Sequence, residues 1–168
     1  ASMRADPASH RRVAIDGRDG SDPAVALGAA VQRTLAAGSA RIDATYQPAR
    51  GPRVSITGRA SCVGPESEVS ASVGGDPPTV VRVTADGRAW LLPPGSASWS
   101  PVAAEQVAGA AAAHGWADML RGAGDPSDVR TDTAGRIVRM HLARDRLGGR
   151  LDVRLSEFGT HVAVAVPP

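Results

Sequence analysis

Two long blocks of alternating apolar and polar residues constrain this chain more than any other feature. A side-chain period of two suits only extended strands with one dry and one wet face. In the first block, Arg41 to Leu92, Ile42, Ala44 and Tyr46 lead on to Val54, Ile56, Gly58, Ala60 and Cys62, set against Arg53, Ser55, Thr57, Arg59 and Ser61. Val69, Ala71 and Val73 then alternate with Glu68, Ser70 and Ser72, and Val81 and Val83 flank Arg82. The second block runs through Val129, through Val138, Met140 and Leu142, through Leu151, Val153 and Leu155, and ends on Val162, Val164 and Val166. Gly64-Pro65, Gly74-Gly75-Asp76-Pro77-Pro78, Asp86-Gly87, Ala134-Gly135 and Gly148-Gly149 supply turn chemistry between runs. Short connections of this kind predict antiparallel meanders, with Val54, Ile56, Val69, Val81, Val153 and Val164 on the covered face.

Two stretches break the period. Ser21-Asp22-Pro23 is a helix start, Leu27, Val31 and Leu35 recur every four residues, and Gly38 stands where a C-terminal cap belongs. A second helix is predicted from Ala103 to Arg121, Ala-rich, with Val107, Trp116, Met119 and Leu120 as its bulky members and Gly109 and Gly115 weakening it. Gly122 to Asp128 reads as a loop. The order helix, meander, helix, meander contains no strand–helix–strand unit, so no parallel sheet is expected. The pattern predicts an α+β fold: a curved antiparallel sheet with two helices across one face. Residues 1–20, polar and aperiodic, are expected to be a flexible N-terminal arm, and 21–168 a single domain.

Composition narrows the function classes. The 168 residues are 42% hydrophobic and 21% charged, enough to bury a core. With three Trp, one Tyr and one Phe, that core must rest on Val, Leu, Ile and Ala. All 19 basic residues are Arg, and Lys and Asn are absent, the bias of a high-GC genome. The formal net charge is only +2, and the arginines alternate with acids rather than clustering among aromatics, which sets nucleic acid aside. No apolar run approaches the roughly 20 residues that span a bilayer. Two histories fit the N-terminus: an export signal removed upstream of Ala1, or Met3 as the native start behind Ala1-Ser2, which would make the protein cytoplasmic.

Chemical motifs are sparse. Val13 to Pro23 opens like a phosphate loop, but Asp22, Pro23 and Ala24 occupy the region where such a loop needs Lys and Ser or Thr. His10, His114, His141 and His161 show no metal-ligand spacing, so neither a metal nor a cofactor is expected. His114 and Asp118, four apart on the second predicted helix, form the alternative catalytic pair; a solvent-facing ion pair is the preferred reading. His141 and His161 read as surface or rim residues. No G-x-S-x-G elbow exists, Gly95-Ser96-Ala97-Ser98 reads as a loop, and Asp125, Asp128 and Asp145 lie in turn-like stretches. Cys62, the only cysteine, falls in the apolar alternation and reads as a small buried side chain.

In order along the chain, several segments resemble the LolA-like lipoprotein carriers, especially the actinobacterial LppX/LprG group. They are Thr34 to Ile42, where a helix end turns into a strand; Asp86 to Pro93 with Trp99 after it; Asp132 to Arg139; and Ser156 to Val162 leading to Val166-Pro167-Pro168. The resemblance implies a half-barrel whose concave face is covered by two helices over an apolar cavity. It implies lipid or acyl-chain binding without catalytic residues, a place in the cell envelope outside the cytoplasm, and membrane association through an N-terminal lipidated Cys, a residue this sequence lacks. The stretch between the second helix and Val129 is also short for the family. Trp90, Trp99, Ala111, Trp116, Met119, Leu120 and Met140 are the residues this reading places around the cavity.

The leading expectation is therefore a non-catalytic binder of an apolar small molecule or lipid. The alternatives are a cytoplasmic enzyme of specialised metabolism using the same cavity as a reaction chamber, with His114 and Asp118 as its polar groups, and a protein-interaction module.

Overall fold

A computed structural model describes residues 11–12, 23–103, 127–142 and 149–167. In chain order they form β1 (Arg11–Arg12), α1 (Pro23–Ala36), β2 (Ser39–Gln47), β3 (Val54–Ser61), β4 (Ser67–Val73), β5 (Thr79–Val83), β6 (Ala89–Leu92), β7 (Ser100–Val102), β8 (Ser127–Thr131), β9 (Ile137–Leu142) and β10 (Arg150–Ser156). The ten strands make one sheet in the order β1-β8-β9-β10-β2-β3-β4-β5-β6-β7, every neighbouring pair antiparallel. The fold is α+β. β10 joins the two meanders: it pairs with β9 on one side and, through Val153 opposite Ala44 and Leu155 opposite Ile42, with β2 on the other.

Helix α1 forms for the reasons its sequence gives. Ala30, Val31, Thr34 and Leu35 are buried along one stripe. Gly38, at φ +81°, ends the helix by donating its N–H to the Leu35 carbonyl at 3.1 Å, a left-handed cap that suits glycine. The stripe packs with Ala40, Ile42, Ala60, Cys62, Val129, Ile137, Met140, Val153 and Leu155 in one core cluster. A second cluster, Ile56, Val69, Val81, Val83 and Ala89, contains sheet residues only among the described ones, with Ala44 packed against both. Gly58 in β3 is a close approach: a Cβ there would strike the Glu68 carbonyl and the Val69 backbone of β4.

The covered face carries Ile56, Val69, Val81 and Val153 as the alternation predicts, with Val54 half-buried among them. Four details differ from the sequence reading. First, the run from Val162 to Val166 is not a strand, although Val162 is buried. β10 already has a partner on each edge, so its continuation cannot enter the sheet beside it. The chain turns away through Glu157 and Gly159, both at positive φ, and Gly159 N–H and Ser39 Oγ tie it to the start of β2. Second, Ile137 rather than Val138 is fully buried. Arg130 and Thr131 of β8 face Arg139 and Ile137 of β9, so Val138 is an extra residue, a β-bulge that re-aims the side chains beside it. Third, two short strands escape the periodicity: β1 lies within the expected arm, and β7 carries Pro101 on a sheet edge, where a missing N–H costs no ladder bond. Fourth, one helix is present among the described residues; the second one predicted, Ala103 to Arg121, falls almost wholly outside them.

The bulge also fixes the helix. Thr34, 0% exposed, donates its hydroxyl to the Ala30 carbonyl at 2.7 Å and accepts the Ile137 N–H at 2.8 Å. Thr34→Val keeps the shape and strands that buried N–H, at a cost of about 1–3 kcal/mol. In a chain of this size the melting temperature should fall by roughly 2–4 °C per kcal/mol, read by circular dichroism. An unchanged melting temperature would show that the bond contributes nothing.

Candidate functional sites on the two faces

The antiparallel register sorts side chains into two surfaces, one dry and one wet. On the dry face, cross-strand rows place Ile56 beside Ala71, Val69 beside Val81, and Val83 beside Ala89. Two polar side chains interrupt them, Thr79, half-buried opposite Ala71, and Ser67. Ser67, paired with Ala60 on one side and Val83 on the other, is 0% exposed, and its Oγ has no hydrogen-bond partner among the described residues. Buried hydroxyls normally have a partner, so this one needs an explanation. Cys62 lies close by in the other cluster; burial pushes its thiol pKa up to about 12, which leaves it protonated and unreactive.

On the wet face, β9, β10, β2 and β3 surround a hollow of about 650 Å³. Its residues follow from the pairing. His141, Asp152, Thr45 and Ser55 form one row across the four strands, and Arg139, Arg154, Asp43 and Thr57 form the next. Arg150, Gln47 and Arg53 close the third side. The short Thr and Ser side chains of β2 and β3 alternate with apolar residues that face the other way.

Asp152 organises one corner. Its Oδ2 lies 3.0 Å from His141 Nδ1, and its Oδ1 accepts from Arg139 Nη2 at 3.2 Å. Desolvation works to raise the Asp152 pKa, but the bonds from His141 and Arg139 outweigh it and hold the carboxyl below its usual range. An imidazole held through Nδ1 has a fixed orientation, the arrangement a general base uses. At the other corner Arg41 Nε binds Asp43 Oδ2 at 3.3 Å, and Arg41 and Arg59 share Glu157 at 3.6 and 2.8 Å.

The structure separates the residues that the sequence reading grouped around a cavity. Met140 is buried in the core beneath α1. Trp90 faces the opposite side of the sheet, in register with Arg82 and Pro101. The Arg82 guanidinium lies 4.5 Å from the Trp99 ring centroid, and Arg88 lies 5.3 Å from that of Trp90. Five strands lie between β9, which carries Met140, and β6, which carries Trp90. Ala111, Trp116, Met119 and Leu120, and the alternative pair His114 and Asp118, lie outside the described residues. His141, read as a rim residue, sits inside the hollow; His161 is exposed. Among the described residues no three His, Cys, Asp or Glu side chains gather to hold a metal ion, and no helix is long and apolar enough to cross a membrane. The hollow was hidden from the sequence reading because it needs β10 beside β2, a pairing across more than a hundred residues.

No protein-family model matches this chain, and no curated protein compared with it matches either.

The depressed Asp152 pKa fixes the sign of a pH effect. A carboxylate with a lowered folded pKa contributes stability that is fully present above its unfolded value, about 3.9, and lost as pH falls through the folded value. Asp152→Asn should lower the urea midpoint relative to the parent at pH 7, and the gap should close as the pH drops below about 4. A gap that stays constant into acid would remove Asp152 as its source.

Proposed function

We propose that the protein is a non-catalytic binder or carrier of an acyl-chain-bearing molecule, held against the dry face of a LolA-like half-barrel. The observation that carries this reading is Ser67, a fully buried hydroxyl with no protein partner among the described residues, set in a largely apolar surface. An ester or amide carbonyl at the head of an acyl chain would accept from it; Val69 and Val81 are each 1% exposed, so the chain would enter beside the half-buried Leu91 by displacing the cover over them. Burial of each methylene contributes about 0.8 kcal/mol, so affinity can come from length without a charged anchor. On this reading the ligand-facing residues are Ser67, Val69, Val81 and Leu91, in place of Trp90 and Trp99. The envelope location and the N-terminal lipid anchor that the resemblance implies belong to the same proposal.

The competing reading, an enzyme, is favoured by the His141–Asp152 pair at 3.0 Å. The two are separable because they occupy opposite faces. The parent should take up a fluorescent fatty-acyl ester in a saturable titration. Ser67→Ala should weaken that uptake by roughly 2- to 12-fold, the worth of one hydrogen bond of about 0.5–1.5 kcal/mol, without lowering thermal stability. His141→Gln should leave it unchanged. A parent that takes up no acyl probe, or a Ser67→Ala variant that binds as well as the parent, would falsify the carrier reading.

A further inference from the structure

We propose that the wet face carries a second, separate binding site, for a polyol bearing two or more phosphate groups. The first ground is charge left over. Four arginines line the hollow against two carboxylates, and both carboxylates are already engaged, Asp43 by Arg41 and Asp152 by Arg139 and His141. Arg150 and Arg154 have no ion-pair partner among the described residues, and Arg53 makes only a 3.3 Å bond to the Thr45 hydroxyl. Three guanidiniums without a carboxylate therefore share one hollow. Like charges so grouped repel one another, and the arrangement contributes nothing to folding.

The second ground is spacing. Arg150 opens β10 and Arg53 directly precedes β3, and β2 runs between them, so their backbones are about 9–10 Å apart. Arg154 is four residues along β10 from Arg150, about 13 Å away. One phosphate cannot meet all three; two or three phosphates spread around a small carbon skeleton can, each taking the paired N–H groups of a guanidinium.

The third ground is the rest of the lining. Thr45, Ser55, Thr57 and Gln47 offer hydroxyl and amide groups suited to the hydroxyls of a polyol, and among the described residues no aromatic side chain lines the hollow for a base to stack on. A volume of about 650 Å³ lies within the range of small-molecule sites. The same chemistry occurs in a free polyol phosphate and in the headgroup of a phosphoinositide, and the test separates the two sources.

Isothermal titration calorimetry of the full chain with inositol 1,4,5-trisphosphate should give saturable single-site binding, at least tenfold tighter than inorganic phosphate. The double variant Arg150→Gln/Arg154→Gln, altered at two exposed positions, should lose tenfold or more with its melting temperature unchanged. Arg88→Gln, which removes an arginine paired with Asp86 outside the hollow, should bind as the parent does. Recruitment to vesicles containing phosphatidylinositol 4,5-bisphosphate, lost in the double variant, would assign the headgroup as the source. Binding of the soluble trisphosphate with no recruitment would assign the free molecule. Absence of binding, equal loss in Arg88→Gln, or equally strong binding of a random single-stranded oligonucleotide at the same site would overturn the proposal. None of these outcomes depends on acyl binding, which is read on the other face.

Discussion

The hydrogen bond from Ile137 N–H to Thr34 Oγ1 fixes where the helix sits on the apolar side of this sheet. Helix and sheet are otherwise joined by aliphatic contacts, which are strong in sum but tolerant of sliding. A buried N–H with a single acceptor is not tolerant, because leaving it unpaired costs more than the bond itself contributes. The bulge at Val138 turns that N–H toward the helix, and Thr34, placed one residue before Leu35 in the apolar stripe, receives it. Arg33 packs along the Gly135 turn just ahead of β9, where a Cβ would collide with its guanidinium. The helix is thus seated at one position over β9, and the opposite face is committed to water.

Once the faces are assigned, the strands divide their side chains strictly. β2 sends Ala40, Ile42 and Ala44 inward and Arg41, Asp43 and Thr45 outward. The outward charges are not distributed evenly. Toward one end of the strands, Arg41 and Arg59 meet Glu157, Arg82 meets Glu68, and Arg82 also covers Trp99. Exposed pairs of this kind stabilise by at most about 1 kcal/mol each, so their main effect is to settle where the long side chains lie. Toward the other end acids run out before arginines do, and the hollow opens there. A surface built only for solubility would intersperse the two signs throughout.

The sheet was legible in the sequence because its strands obey a two-residue period and its turns carry Gly where positive φ is needed. Gly38, Gly74, Gly87 and Gly135 all occupy that conformation. What escaped the sequence depends on long-range register. The alternation marks Arg150, Asp152 and Arg154 as outward residues, but it cannot say that they face Gln47, Thr45 and Asp43 rather than solvent at an edge. The same gap explains the final run of valines: Val162, Val164 and Val166 have the pattern of a strand, yet the sheet has no open edge beside β10. Trp90 was misread for a related reason. A bulky aromatic suggests the interior, but its parity in β6, opposite Ala89 and Leu91, places it with Arg82 on the wet face.

Local choices in a foldable chain tend to agree with the global structure, and departures from that agreement concentrate where something other than folding is being served. Two departures stand out here, one on each face. In the dry face, Ser67 buries a hydroxyl with no partner among the described residues although Ala or Val would pack there without that cost. In the wet face, Arg53, Arg150 and Arg154 line one hollow with no ion pair among the described residues, although Asp43 stands opposite Arg154 and Asp152 lies between Arg150 and Arg154 along β10. The first lacks an acceptor of hydrogen bonds and the second lacks anions, so no single small ligand answers both from one side of a continuous sheet. The proposed acyl ligand and the proposed polyol phosphate are therefore separate occupants, one supplying a carbonyl within an apolar body and the other several negative charges in water.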